Sequence, residues 1–270
     1  MTQAIFRSKS PEEDELDKKL AELTLLESEL AQRELDLVTL KAELQAFELK
    51  YLRVVGTRIA KLDEIEAQIA EIMARMRPED ETVVKEARQA RSQASESAQA
   101  AGAAQEHEKA REEFKPSDAL KAVYREAAKR FHPDLATGEN DRLRRTQQMV
   151  AVNAAYSAGD EDTLRKMLRD WEDSPDNVSG DDVGANLIRT IRKISLVNRR
   201  LAEMAAEIEL LKQSDISNLR VEVQWAEIKD RDILQEMAEH LDAQIAAQQK
   251  RMEELFATLI KNQKGELKHG

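Results

Sequence analysis

Leucine returns every seven residues near the start of this chain, and that spacing constrains the fold more than any other feature. Leu23, Leu30, Leu37, Leu44 and then Tyr51 stand seven apart. Leu26, Leu40, Phe47 and Val54 fill the alternate positions, with Arg33 the one polar member. Positions three and four apart share one narrow stripe of an α-helix, and a stripe sustained over about four heptads is a coiled-coil seam. From Tyr51 to Leu62 the step is eleven, a heptad plus four. Such a stutter locally unwinds a supercoil, and Gly56 inside it marks a soft point. Leu62, Ile65, Ile69, Ile72 and Met76 continue in the new phase. A second seam lies toward the C-terminus: Leu187, Ile194, Leu201 and Ile208 recur by seven, joined by Val197, Met204 and Leu211. Around Ser214 to Trp225 its phase is lost, and Leu234, Leu241, Ile245, Met252, Leu255 and Leu259 restore it. No proline falls between residues 185 and 264, so a second long helix is expected there.

Composition agrees. Of 270 residues 35% are charged and 4% aromatic, with five prolines and eight glycines, a profile of long helices rather than a thick globular core. The net charge of −11 argues against nonspecific binding to nucleic acid or anionic membrane, so no nucleic-acid partner is expected. With no cysteine there is no disulfide, zinc ribbon or thiol chemistry, which fits a reducing compartment. The start, MTQAIFRSKSPEEDELDKK, lacks an apolar stretch of signal-peptide length, and no run is long enough to span a bilayer. A cytoplasmic location is the expectation.

The expected fold class is all-α, ordered as follows. Residues 1–11 form a disordered N-terminus, and Ser10 and Pro11 start a helix whose opening carries the acids Glu12, Glu13, Asp14 and Glu15. Residues 12–77 are the first coiled-coil arm, closed by Pro78. Residues 78–114 are an exposed connector, rich in Ala and Gln and helical in propensity, with a partly disordered linker over about 84–106 as the alternative. Residues 115–173 form a compact helical unit, 174–184 a linker, 185–264 the second arm and 265–270 a tail. Each arm is on the order of 90 to 120 Å long. Folding the arms into an antiparallel hairpin would bury both seams and bring acidic Glu12–Asp17 to Lys261, Lys264 and Lys268. The rival is a parallel homodimer through the coiled coil. Arg33 and Asn198, as polar seam residues, would set register in either case.

Between the arms one stretch reads LKAVYREAAKRFHPD. Leu120, Tyr124, Ala127 and Phe131 lie on one helix face, and Lys121, Arg125 and Lys129 form a basic ridge beside it. Ser117 is the expected N-cap. Proline disfavours the α conformation in the residue before it, so the helix must stop at His132 before Pro133. A rigid turn therefore carries an imidazole and the Asp134 carboxylate. After LATGEN, a second helix near Asp141 presents Met149, Val152 and Tyr156 to the first, with Gly159 to end it. Leu164, Leu168 and Trp171 form a third short stripe.

Tyr124, Arg125, Arg130, Phe131 and the tripeptide His132, Pro133, Asp134 resemble helix two and the His-Pro-Asp loop of the J-domain family, co-chaperones of DnaK-type ATPases. Gln147, Gln148, Met149, Val152, Asn153, Ala155 and Tyr156 resemble the family's helix three, close to Q-K-F-x-x-I-N-x-A-Y. The likeness covers roughly residues 115 to 173. It implies docking on the nucleotide-binding domain and linker of a DnaK-type chaperone to speed ATP hydrolysis. Asp134 would engage a partner arginine, His132 would hold the loop and contact the partner, and Pro133 would fix the turn. Lys121, Arg125, Lys129 and Arg130 would meet an acidic face. The family's helix one, with its Y-x-x-L-G pattern, has no visible counterpart, and Leu135 stands where a lysine often follows the tripeptide.

Other candidates are weaker. His107, His240 and His269 have no second histidine at ligand spacing. Asp160, Glu161 and Asp162 suit a helix start. Arg189, Arg192, Lys193, Arg199 and Arg200 read as a solvated face of the second arm, and Trp225 as a packing knob or an exposed contact. There is no glycine-rich phosphate loop and no nucleophile with its base, so neither an enzyme nor a cofactor is expected. The expectation is a co-chaperone whose arms reach an unidentified client or assembly. The alternative is a structural coiled-coil scaffold with a J-like unit that no longer activates a chaperone.

Overall fold

A computed structural model describes residues 9–106, 114–136, 138–172 and 183–266. The expected loose N-terminus through residue 8, linker residues 174–182, the end of the tail, His107 and His269 lie outside the described residues, while linker residues 183 and 184 are helical. Among those described, every regular element is helical. The helices are α1 (Pro11–Tyr51), α2 (Thr57–Met76), α3 (Glu81–Glu106), α4 (Asp118–Phe131), α5 (Glu139–Ala158), α6 (Glu161–Glu172), α7 (Val183–Lys212), α8 (Asp215–Glu227) and α9 (Ile233–Glu266). No helix of the described residues is long and apolar enough to cross a membrane. The chain divides into two compact units, Met1–Glu43 with Phe114–Ser214, and Leu44–Glu113 with Asp215–Gly270.

In the first unit the two seams meet. Leu23, Leu30 and Leu37 of α1 pack with Ile194, Val197 and Met204 of α7, flanked by Leu26, Leu201, Ile208 and Leu211. Glu34 pairs with Arg200 and Lys41 with Glu207, both seven residues further on. Pairs that climb together mean the helices run parallel, which corrects the antiparallel expectation. Within the acidic start, Asp17 has a local partner in Lys9. Exposed charges contribute too little each to dictate direction. Arg33 and Asn198 are exposed rather than in the seam, so neither sets register.

The second unit repeats the parallel sense. Ile65 and Ile69 of α2 pack with Ile245 of α9, and Arg58 bonds Asp242 at 3.0 Å. Here α3 is the returning helix of the topology. It lies antiparallel on α2, with Arg91 bonded to Glu71 and Glu64 at 2.7 Å each, and Ser97 bonded to Asp63. The connector is therefore packed, not exposed. Ala87, Ala94 and Ala101, seven apart, are buried, and a methyl side chain lets two helices approach closely. A seam of alanines carries no large apolar residue, so it does not read as a seam.

Both phase breaks take definite forms. The stutter is a π-helical turn, Leu52–Gly56, which absorbs the extra residues without ending the helix. Gly56 is buried there, and a Cβ would come within 3.1 Å of Leu52 Cδ2. The second arm is three helices rather than one. After α8, Asp230 takes a left-handed φ of 55°. Arg231 N–H reaches Ala226 O at 3.0 Å and Asp230 N–H reaches Glu227 O at 3.1 Å, a Schellman stop. Asp232 then caps α9 by accepting from Gln235 N–H at 3.0 Å. Glycine suits that left-handed position better than aspartate. Asp230→Gly is expected to raise stability by about 0.5–1 kcal/mol, read as a higher urea midpoint.

Candidate functional site

The site belongs to the first unit and is built on α4 and α5. Ser117 Oγ accepts Leu120 N–H at 3.0 Å and starts α4, and the chain turns extended at His132, where ψ is 127°. Pro133–Leu135 form a single 3-10 turn. Gly159 closes α5 with φ 70°. The two helices run antiparallel: Tyr124 Oη donates to Asn153 Oδ1 at 2.7 Å, and Arg145 Nη1 donates to the Arg130 carbonyl at 2.7 Å. The second bond supplies a positive charge to the end of α4, where carbonyls lack helical partners. Leu120, Tyr124, Phe131, Met149, Val152 and Tyr156 are all buried. The Tyr124 and Tyr156 rings lie 4.7 Å apart, and Phe131 meets Trp171 of α6 edge-on at 5.2 Å. Burial first, then the nearby Glu34 charge, push the Tyr124 hydroxyl pKa well up, so it remains a donor.

One face of this hairpin lies against α1. Tyr156 Oη and Thr39 Oγ1 are 2.8 Å apart, and Arg125 donates to Gln32 Oε1 at 3.2 Å. Ala31, Leu35, Val38 and Ala42 of α1 are buried as a stripe separate from the heptad seam. That stripe, stepping by four, three and four, was visible in the sequence beneath the stronger leucine repeat.

Both ends of the turn are enclosed. His132 is 2% exposed and Leu135 6%, and Leu135 joins the apolar cluster of α1 and α7. His132 Nδ1 accepts the Asp134 N–H at 3.2 Å, which leaves the Nε2 hydrogen for Glu34 Oε1 at 3.1 Å. Arg200 of α7 donates to the same oxygen through Nε at 3.0 Å and Nη2 at 2.9 Å. Burial alone would raise the Glu34 pKa. The hydrogen bond from His132 and the charge and hydrogen bonds of Arg200 outweigh it and hold the carboxyl below its ordinary value. Asp134 keeps a 16% exposed side chain, its Oδ2 3.9 Å from His132 Nδ1.

The basic residues of α4 are more open. Lys129 is exposed; Lys121, Arg125 and Arg130 are half-buried. Lys121 lies 3.8 Å from Asp118, and Arg130 bonds Glu126 at 3.0 Å. Together with Ser28 and Gln32 of α1, Arg125, Lys129 and Arg130 line a shallow groove. Sequence reasoning missed Glu34 and Arg200. It read Arg200 as part of a solvated basic face, whereas its guanidinium grips a buried carboxylate. The chain matches no known family, curated protein or solved structure.

The remaining candidates resolve simply. Asp160 caps α6, accepting Thr163 N–H at 3.0 Å. His240 is exposed and 3.1 Å from Gln244. Trp225 is 63% exposed. Among the described residues no group of histidine, aspartate and glutamate is placed to hold a metal ion.

Proposed function

We propose that this chain is a J-domain-type co-chaperone that recruits a DnaK-type chaperone and stimulates its ATPase, performing no chemistry itself. One arrangement carries the reading: a capped basic helix that runs into a proline-fixed His-Pro-Asp turn and an antiparallel partner helix with a tyrosine core. A preformed turn loses little entropy on binding, and a positive ridge steers an acidic partner. His132, Pro133 and Asp134 would engage the chaperone, with Lys121, Arg125, Lys129 and Arg130 meeting its acidic face. The absent helix one is replaced on this reading by the Ala31–Ala42 face of α1. The paired arms would place the unit at a client or assembly, in the cytoplasm, and a homodimer through the arms would add valency.

A second reading, a coiled-coil scaffold whose J-like unit no longer activates a chaperone, is favoured by one observation: His132 is spent on Glu34. Asp134 separates the two, because its carboxylate is not part of the buried trio. ATP turnover of a DnaK-type chaperone should rise with the protein and lose that rise in Asp134→Asn. His132→Gln would disturb the fold and the contact together, so it is the poorer probe. Stimulation that is independent of Asp134, or absent from both the native chain and Glu34→Ala, leaves the scaffold reading standing.

A further inference from the structure

We infer that Glu34 is a latch: α1 and α7 hold the His-Pro-Asp turn closed through it, and a partner engages the turn only after Glu34 lets go. The inference rests on the co-chaperone reading and adds its regulation. Three observations carry it. First, both ends of the turn are shut in, because His132 and Leu135 are buried beneath the two arms and only Pro133 and Asp134 between them keep partial exposure. Second, the clasp is polar although it stands directly beside an apolar seam. Glu34 Oε1 takes hydrogens from His132 on the turn and from Arg200 on the opposite helix, so one carboxylate joins three elements. Leucines at that level would hold the turn as well or better, whereas a buried carboxylate shared by an imidazole and a half-buried guanidinium recovers much of its cost when water reaches it. Third, the landing surface is already open. Lys129 is exposed, and Arg125 and Arg130 line the groove beside α1.

These facts give an order of events. An acidic partner settles on the α4 ridge while the turn is shut. Opening then moves His132 off Glu34 and Leu135 out of the α1–α7 cluster, and Asp134 becomes available with them. The energy that opens the clasp comes from the partner's better fit to the open state, as any population shift requires. Helix α4 can survive the opening, because its N-cap Ser117 and its terminal contact with Arg145 lie outside the trio.

The test uses the full chain with two variants, Glu34→Ala and Arg200→Ala. The second preserves the His132–Glu34 hydrogen bond and serves where the first unfolds α1. Amide hydrogen exchange at His132 and residues 134–136 should quicken about tenfold or more in the variants while residues 120–130 keep their protection. Stimulation of a DnaK-type ATPase should rise severalfold over the native chain, and adding Asp134→Asn should remove the gain. Unchanged exchange at the turn in both variants overturns the latch. So does native stimulation equal to that of the variants, although the co-chaperone reading survives that outcome. Faster exchange with no stimulation from any form keeps the latch as a structural clasp and retires the co-chaperone reading instead.

Discussion

Phe131→Ala should lower the stability of the first unit by about 4 kcal/mol, the largest effect expected of a single truncation in the α4–α6 cluster. The ring is fully buried and stands edge-on to Trp171 at 5.2 Å and 85°. Its removal loses the transfer energy of the side chain and leaves a cavity. It also removes an aromatic pair worth about 0.5–1.5 kcal/mol beyond the buried area. The site cannot readily collapse. Arg144 and Arg145 also sit over the same indole, at 4.6 and 5.3 Å, so Trp171 is held by more than the Phe131 ring. Phe131 is also the last residue of α4, directly before the capping His132, so a slack end there loosens the turn. Urea unfolding followed by far-UV circular dichroism measures the loss, with Leu25→Ala as the control. Leu25 is 74% exposed and should change stability by less than about 0.5 kcal/mol. A Phe131 effect as small as the control's would mean that the ring is not packed as described.

The seams were legible because their physics is one-dimensional. Leu23, Leu30 and Leu37, like Ile194 and Met204, announce a buried stripe through spacing alone, and they are buried. Which way two stripes run relative to each other is not written in either of them. It depends on what returns the chain, and the return in the second unit is α3, whose alanines bury little area and so leave no hydrophobic signature. Helix ends were legible where a residue has only one good role: Ser117 as cap, Pro133 as stop, Gly159 as a left-handed terminus. Asp230 was not, because aspartate takes the left-handed conformation only at a cost and nothing local advertises it.

For the site, the hairpin could be read and its enclosure could not. Tyr124, Phe131 and Tyr156 face inward by their periodicity. Glu34 looks like any exposed acid on a charged helix until the third dimension brings Arg200 and His132 to it, from positions far apart in sequence. A buried charge is identified by its partners, and partners so distant in sequence leave no pattern. Leu135 stands where the resembled family often carries a lysine. Its reason is now apparent: a lysine there would have to enter an apolar cluster.

Glu34→Ala should cost about 3 kcal/mol, because it strands a buried imidazole hydrogen and a half-buried guanidinium without their acceptor. Part of that cost belongs to the stranded groups rather than to the contact. Arg200→Ala in the Glu34→Ala background should therefore add much less than it does alone, with a coupling of about 1–3 kcal/mol. The pH dependence follows from the same geometry. Glu34 is held below its ordinary pKa, so the stability it contributes is complete above the unfolded value of about 4.3. That stability is lost as the pH falls through the lower folded value. Glu34→Gln cannot lose a charge, so the stability difference between the native chain and this variant should shrink on acidification through that window. Other carboxylates titrate in both proteins and cancel in the comparison. Additive single variants, together with a difference that does not change between neutral and acid pH, would mean that Glu34 carries no charge-dependent bond to the turn. The clasp would then be apolar, held by Leu135 alone.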